Sequence, residues 1–314
     1  MLLDSTHAAL AINTDRVEQF FEKITPLDMS LQMKQNFPAG TPRESILQQY
    51  HQFLNEEVMP FSKADEALLI RVFADIKKWC DLIAPDLFPK GIQLIKTRGR
   101  HYGNGTYYTR EKNIIIPADV LQSPNERTVR EVLIHEVFHV YARLNPQKRA
   151  ALYQLIGFRP LNGELELPSA IASRRLLNPD GINIAYAIQL AQAPGDTLSA
   201  VPIIIANAPV YLPERQTYFE YIGFNLYPVE KQSDGHYLAV TTPEGISPLR
   251  VNEQGDFFKQ ITDNTMYIIH PDEILADDFK YLVLAQSGEE VYQLTRFSQE
   301  GQALLKQIEV VLKE

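Results

Sequence analysis

In His135-Glu136-Val137-Phe138-His139, residue types and spacing could do chemistry together. Residues four apart share one face of an α-helix, so His135 and His139 would present two imidazole nitrogens to one ion. Glu136 falls on a neighbouring azimuth. There its carboxylate stands beside a metal-bound water without being a ligand, the placement a general base needs. Val132, Leu133, Ile134, Val137, Phe138, Val140, Tyr141 and Ala142 make the segment apolar almost all round, as in a buried helix. Two histidines and a glutamate are costly to desolvate in such a helix unless paired, and a divalent cation pairs with all three. The plainer reading is a set of ordinary buried hydrogen bonds, since so short a pattern also arises by chance.

Two imidazoles do not complete a tetrahedral site, so one zinc ion would need a third protein ligand and keep its fourth position for water. Cys80 is the sole cysteine, which leaves carboxylates and histidines as the donors and gives Cys80 itself the role of a buried small hydrophobe. In the segment His270 to Phe279, Glu273 and Asp277 would share a helix face. Glu273 would bind the ion while Asp277 accepts the outer N–H of a ligand histidine. Glu164, Glu166 and Asp180 lie closer to His139 along the chain and compete for the place, Glu166 and Asp180 ahead of Glu164. Against these readings, Asn178-Pro179-Asp180-Gly181 is also a plain turn, and the carboxylates of 272–278 are also a solvated helix face. Tyr267 and His270 are candidate oxyanion stabilisers by proximity, with core packing as their plainer role.

The two segments together resemble the gluzincins, the thermolysin-like zinc peptidases, which pair His-Glu-x-x-His with a second helix reading Glu-x-x-x-Asp-x-Phe. His135, Glu136 and His139 match the first, and Glu273, Asp277 and Phe279 match the second. The resemblance implies Glu273 as third zinc ligand, Asp277 behind a ligand histidine, peptide or protein as substrate and an α+β zincin-type fold. It also implies a sheet edge near the first helix that aligns extended substrate, for which Asn113 to Ile116 is the candidate. The resemblance covers only these two segments, and the chain departs from the family by placing about 130 residues between them. The residues alone imply an activated water and an electrophile. A zinc-dependent hydrolase of another amide is therefore the second reading. A non-catalytic interaction protein with structural zinc is the third, disfavoured because such a site has no use for Glu136.

Positioning these residues requires a scaffold, and the apolar spacing predicts one. Helices are expected over 15–24, 43–58 and 63–83, then short strands over 92–96, 106–109 and 113–116. Ser123 would cap the metal helix, with Pro124 in its first turn and Glu126 closing a capping box, and the helix would run from about Pro124 to Leu144. Tyr, Ile, Val and Thr runs broken by Pro and Gly predict a β-rich insertion, and helices return over 271–285 and 298–312, the last capped by Ser298. The expected organisation is a helical region 1–90, a zinc-binding core 91–181, the insertion 182–262 and a closing segment 263–314.

With 314 residues, 45% hydrophobic and 22% charged, the chain can bury a sizeable core. A net charge of −9 without a dense basic run argues against nucleic acid as a partner. No stretch approaches the roughly 20 apolar residues of a membrane span. Met1 to Ile12 lacks the basic start of a signal peptide. Cytoplasmic residence and secretion after leader removal both fit.

Overall fold

The computed structural model describes every residue except Pro194. Capping chemistry decides where its helices begin. Ser62 accepts from the Asp65 N–H and Asp65 returns the favour to Ser62, a capping box that starts helix Lys63–Ile83 as the apolar spacing predicts. Helix Arg43–Glu57 also falls where expected. The metal helix runs Glu126–Leu144, but its cap is Asn125 and not Ser123. Asn125 Oδ1 accepts from the N–H groups of Arg127 and Thr128, while Ser123 closes the preceding short helix Asp119–Gln122. Pro124 therefore lies outside the helix.

The expected helix over 15–24 is a turn for most of its length. The Asp15 carboxylate accepts from the N–H groups of Val17, Glu18 and Phe20, so these donors are lost to an α-ladder. Only Phe20–Lys23 is helical, flanked by helices Ser5–Ile12 and Pro26–Met33. The turn sends Glu18 inward, where Arg143 at the end of the metal helix donates to it at 2.7 Å and Arg149 at 3.1 Å. Burial opposes the ionised form of Glu18, yet the two guanidinium groups hold its carboxyl down at about 2, from an ordinary 4.5. Because the folded value lies below the unfolded one, the pair's stabilisation is complete above pH 4.5 and disappears as pH falls toward about 2. That amounts to about 3 kcal/mol over this window. Glu18→Gln is expected to flatten the acid limb of a plot of urea midpoint against pH; an unchanged limb would refute the assignment.

Four strands form a mixed sheet: β1 (Val58–Met59), β2 (Gln93–Thr97), β3 (Tyr108–Arg110) and β4 (Asn113–Pro117), in the order β1-β2-β4-β3. β2 and β4 run parallel, and the other pairs are antiparallel. β4 is therefore interior and all five of its residues are buried, so Asn113 to Ile116 is not the edge the resemblance implies. The edges are β1 and β3, and Asp180 covers part of β3 by accepting the Thr109 N–H at 2.6 Å.

A second sheet contains β5 (Phe158–Pro160), β6 (Leu165–Glu166), β7 (Tyr186–Ala193), β8 (Asp196–Ala206), β9 (Ile222–Lys231) and β10 (Tyr237–Ala239). Its order is β5-β7-β8-β9-β10-β6, antiparallel except for β10 with β6. The β-rich part thus reaches back to Phe158, upstream of the expected boundary at 182, because its outer strands come from the zinc-core segment. It stops short of 262, where Gly255–Ile261 is helical.

The metal helix packs on helix Pro271–Ala285, with Phe138 and Tyr141 against Phe279 at ring distances of 5.4 and 6.4 Å. Leu133, Val137 and Val140 join Ile274, Leu275 and Val283 in one core with helices Lys63–Ile83 and Gln299–Lys313. Burying a ring such as Phe279 stabilises the pairing by roughly 1.5–3 kcal/mol. The result is an α+β fold in which two helices far apart in sequence are held side by side. Among the described residues no helix is long and apolar enough to cross a membrane.

Candidate metal centre

The two packed helices bring their polar residues face to face. His135 Nε2 lies 3.0 Å from Glu273 Oε2, and His139 Nε2 lies 3.5 Å from the same oxygen. One donor atom from each of His135, His139 and Glu273 falls within 4.8 Å of the other two. All three residues are buried. A second grouping at the same distance limit, Glu136, His139 and Asp180, shares His139.

Whether these residues suit a cation is answered by their unmet polar atoms. Both ring nitrogens of His139 and Oε2 of Glu136 are buried without a hydrogen-bond partner. Each buried unpaired group costs about 1–3 kcal/mol, and an ion bound through one nitrogen of His139 would satisfy that atom and place a water within reach of Glu136. Two imidazoles and a carboxylate form a donor set suited to zinc. The residues fit a divalent ion.

The local field agrees. Burial opposes the charged forms of both rings, but Asp277 and Glu273 push His135 up to about 10, while Glu273 and Asp180 push His139 up to about 9. A field that draws protons onto two buried rings also draws a metal cation. Glu273, despite its burial, is held well below the carboxylate range by His139 and His135. Burial, reinforced by Asp180, pushes Glu136 up to about 8.

Behind the candidate ligands, Asp277 Oδ1 accepts from His135 Nδ1 at 3.0 Å, which leaves Nε2 of that ring turned toward Glu273. Asp277 also accepts from the Thr265 hydroxyl at 2.6 Å and from Lys280. Lost support of this kind costs about 10- to 100-fold in metal affinity. Asp277→Asn is expected to show that loss in competition with a chromogenic zinc chelator; unaltered affinity would contradict the role.

A cleft of about 550 Å³ opens over these residues, lined by Thr106, Tyr107, Phe219 and Tyr267 beside His135 and Glu136. Tyr267 stacks on His135 with ring centroids 6.0 Å apart. His270 is elsewhere: its Nδ1 accepts from the Asp272 N–H and its Nε2 donates to the Asn183 carbonyl, so it caps helix Pro271–Ala285 and does not line the cleft. Glu166 is exposed on β6 with His236 at 3.3 Å, and Glu164 is likewise exposed. Neither lines the cleft, whereas Asp180 does.

Several contributors escape a reading by periodicity. Asn178 donates to Glu273 Oε1 at 2.6 Å and steadies the carboxylate. Asn178 to Gly181 does turn, with the Gly181 N–H donating to the Asn178 carbonyl at 3.3 Å. A Cβ on Gly181 would lie 2.1 Å from His270 Nδ1, so only glycine allows this approach. Arg143 supports the loop by donating to the Asp180 carbonyl at 3.5 Å and to the hydroxyl of Thr109, itself bonded to Asp180, at 3.0 Å. The one signal for this loop in the sequence is its cluster of polar turn formers. No family model, no curated protein and no solved structure matches the chain, and what the site does is read from its own atoms.

Proposed function

We propose that this protein is a zinc-dependent peptidase with a zincin-like fold, in which His135, His139 and Glu273 hold the ion and Glu136 is the general base. One observation carries the reading: two helices separated in the chain by the whole of the second sheet converge on a buried two-histidine, one-glutamate set with unmet polar atoms. When bound there, zinc supplies Lewis-acid polarisation of a carbonyl and a water of lowered pKa. Glu136 accepts that water's proton and hands it to the leaving amine. Burial and the neighbouring Asp180 raise the proton affinity of Glu136, which suits it to take up and return a proton. Asp277 keeps the His135 ring in one tautomer and orientation. Tyr267, at the cleft wall beside His135, is the donor placed to meet a developing oxyanion. Asn104 to Tyr107, leading into edge strand β3, take the substrate-facing place first expected of Asn113 to Ile116.

Purified protein is expected to carry one equivalent of zinc by elemental mass spectrometry. Its hydrolysis of an unfolded protein such as casein should vanish on chelation and return on adding zinc. Protein that is metal-free when purified without chelator, and that binds no added zinc, would sink the proposal.

A further inference from the structure

Resting on the peptidase reading, we infer that Asp180 anchors the free α-ammonium group of the substrate, which makes the enzyme an exopeptidase that removes N-terminal residues. Four carboxylates crowd the centre: Glu136, Asp180, Glu273 and Asp277 all line the cleft. Nearby cations are already engaged, Arg143 and Arg149 between Glu18 and Asp272, and Lys280 with Asp277. Glu131, also on the cleft wall, has Arg127. One divalent ion and Lys280 supply three positive charges against four negative. Among the described residues, the carboxylates of this group left without a cationic side-chain partner are Glu136 and Asp180.

Thr109 donates twice to Asp180, at 2.6 Å from its N–H and 2.5 Å from its hydroxyl, both to Oδ1. Among the described residues no Lys or Arg side chain forms an ion pair with this carboxylate. Glu136 Oε2 is buried on the same cleft wall and, among the described residues, has no hydrogen-bond partner, which leaves it open to a donor held at Asp180. A second metal ion is a poor fit, since His139 serves the first and only two carboxylates remain. An ammonium group needs only a few acceptors, which Asp180 and Glu136 offer together.

Distance decides which ammonium. The donor atoms of Asp180, Glu136 and His139 lie within 4.8 Å of one another, so a cation at Asp180 sits beside the reacting centre. An α-ammonium is two bonds from the scissile carbonyl carbon, whereas a lysine side-chain ammonium is six bonds from its own. Only the first can be held there while the carbonyl stays at the ion. Capture of a chain's terminal amine by fixed acceptors is a known mode of peptide recognition. In the reaction the C–N bond after the first residue breaks, the water oxygen joins the released carboxyl group, and the proton travels through Glu136 to the new amine.

The test compares tetra-alanine with its N-acetylated form, using zinc-loaded wild-type protein. The free amine is expected to lose one alanine at a time and the acetylated peptide to resist, by about 100-fold or more, since a charge-assisted contact is lost. If acetylated peptides are cut as well, and Glu136→Gln abolishes the cutting, the peptidase reading stands and this inference falls. If neither peptide is cut, nor any unfolded protein, both fall. A binding readout is independent of turnover: titration calorimetry with alaninol, an amine without a scissile bond. Asp180→Asn, which keeps the acceptor for Thr109, should weaken alaninol about 10- to 100-fold and leave N-acetylalaninol unchanged. Equal alaninol affinity in the two proteins would overturn the assignment.

Discussion

Replacing Glu136 by Gln is expected to leave folding and zinc content intact while slowing peptide hydrolysis by about 10³-fold, the middle of the range for a positioned general base. The substitution keeps volume and shape at a site that is almost fully buried, so no cavity opens. It removes a carboxylate with an unpartnered oxygen, which predicts a melting temperature equal to or above that of the wild type. What the amide cannot do is accept the proton. The check is threefold: zinc by elemental analysis, thermal unfolding, and initial rates on a peptide the wild type cleaves. Retained zinc with undiminished rates would show that Glu136 is not the base.

The second large effect concerns the ligand set, where Glu273 and Asp180 both lie near His139. Glu273→Ala is expected to weaken zinc by more than about 100-fold, since even residues behind the ligands are worth 10- to 100-fold. Asp180→Asn should leave zinc affinity nearly unchanged, because Glu273 alone has contacts to both rings. Glu273→Ala also strands the Asn178 side-chain N–H and His135 Nε2, at a cost of about 1–3 kcal/mol per group. Glu273→Gln separates the two effects, for it can keep the Asn178 contact without supplying the negative charge. Competition against a calibrated chelator measures all three variants. Should Asp180→Asn release the ion while Glu273→Ala retains it, the centre would be the other grouping.

The convergence of the two helices also explains why buried charge is tolerated here. Asp277 holds the outer nitrogen of His135 and Asn178 the outer oxygen of Glu273, Thr265 and Lys280 in turn hold Asp277, and Arg143 ties the end of helix Glu126–Leu144 to Glu18 and Thr109. Polar networks in a dry interior are favourable when satisfied and costly when not. Here the outer groups of His135 and Glu273 are satisfied, while His139 and Glu136 keep unpartnered atoms.

Local periodicity in the sequence suffices for much of the scaffold. Helices Lys63–Ile83 and Pro271–Ala285 lie where apolar spacing predicts, and spacing of four puts His135 with His139 and Glu273 with Asp277 on shared faces. These are properties of a few consecutive turns, so no distant residue is needed to specify them. Side-chain competition for backbone N–H groups is less legible, which is why Asp15 turns a stretch that looks helical and Asn125 displaces Ser123 as cap. Tertiary structure alone decided that β4 is interior, that Tyr267 faces the cleft while His270 caps a helix, and that the Asn178 to Gly181 turn reaches the site. Each depends on where separate segments meet in space, and that is set by the packing of whole helices and sheets, to which residue spacing within any one segment is blind.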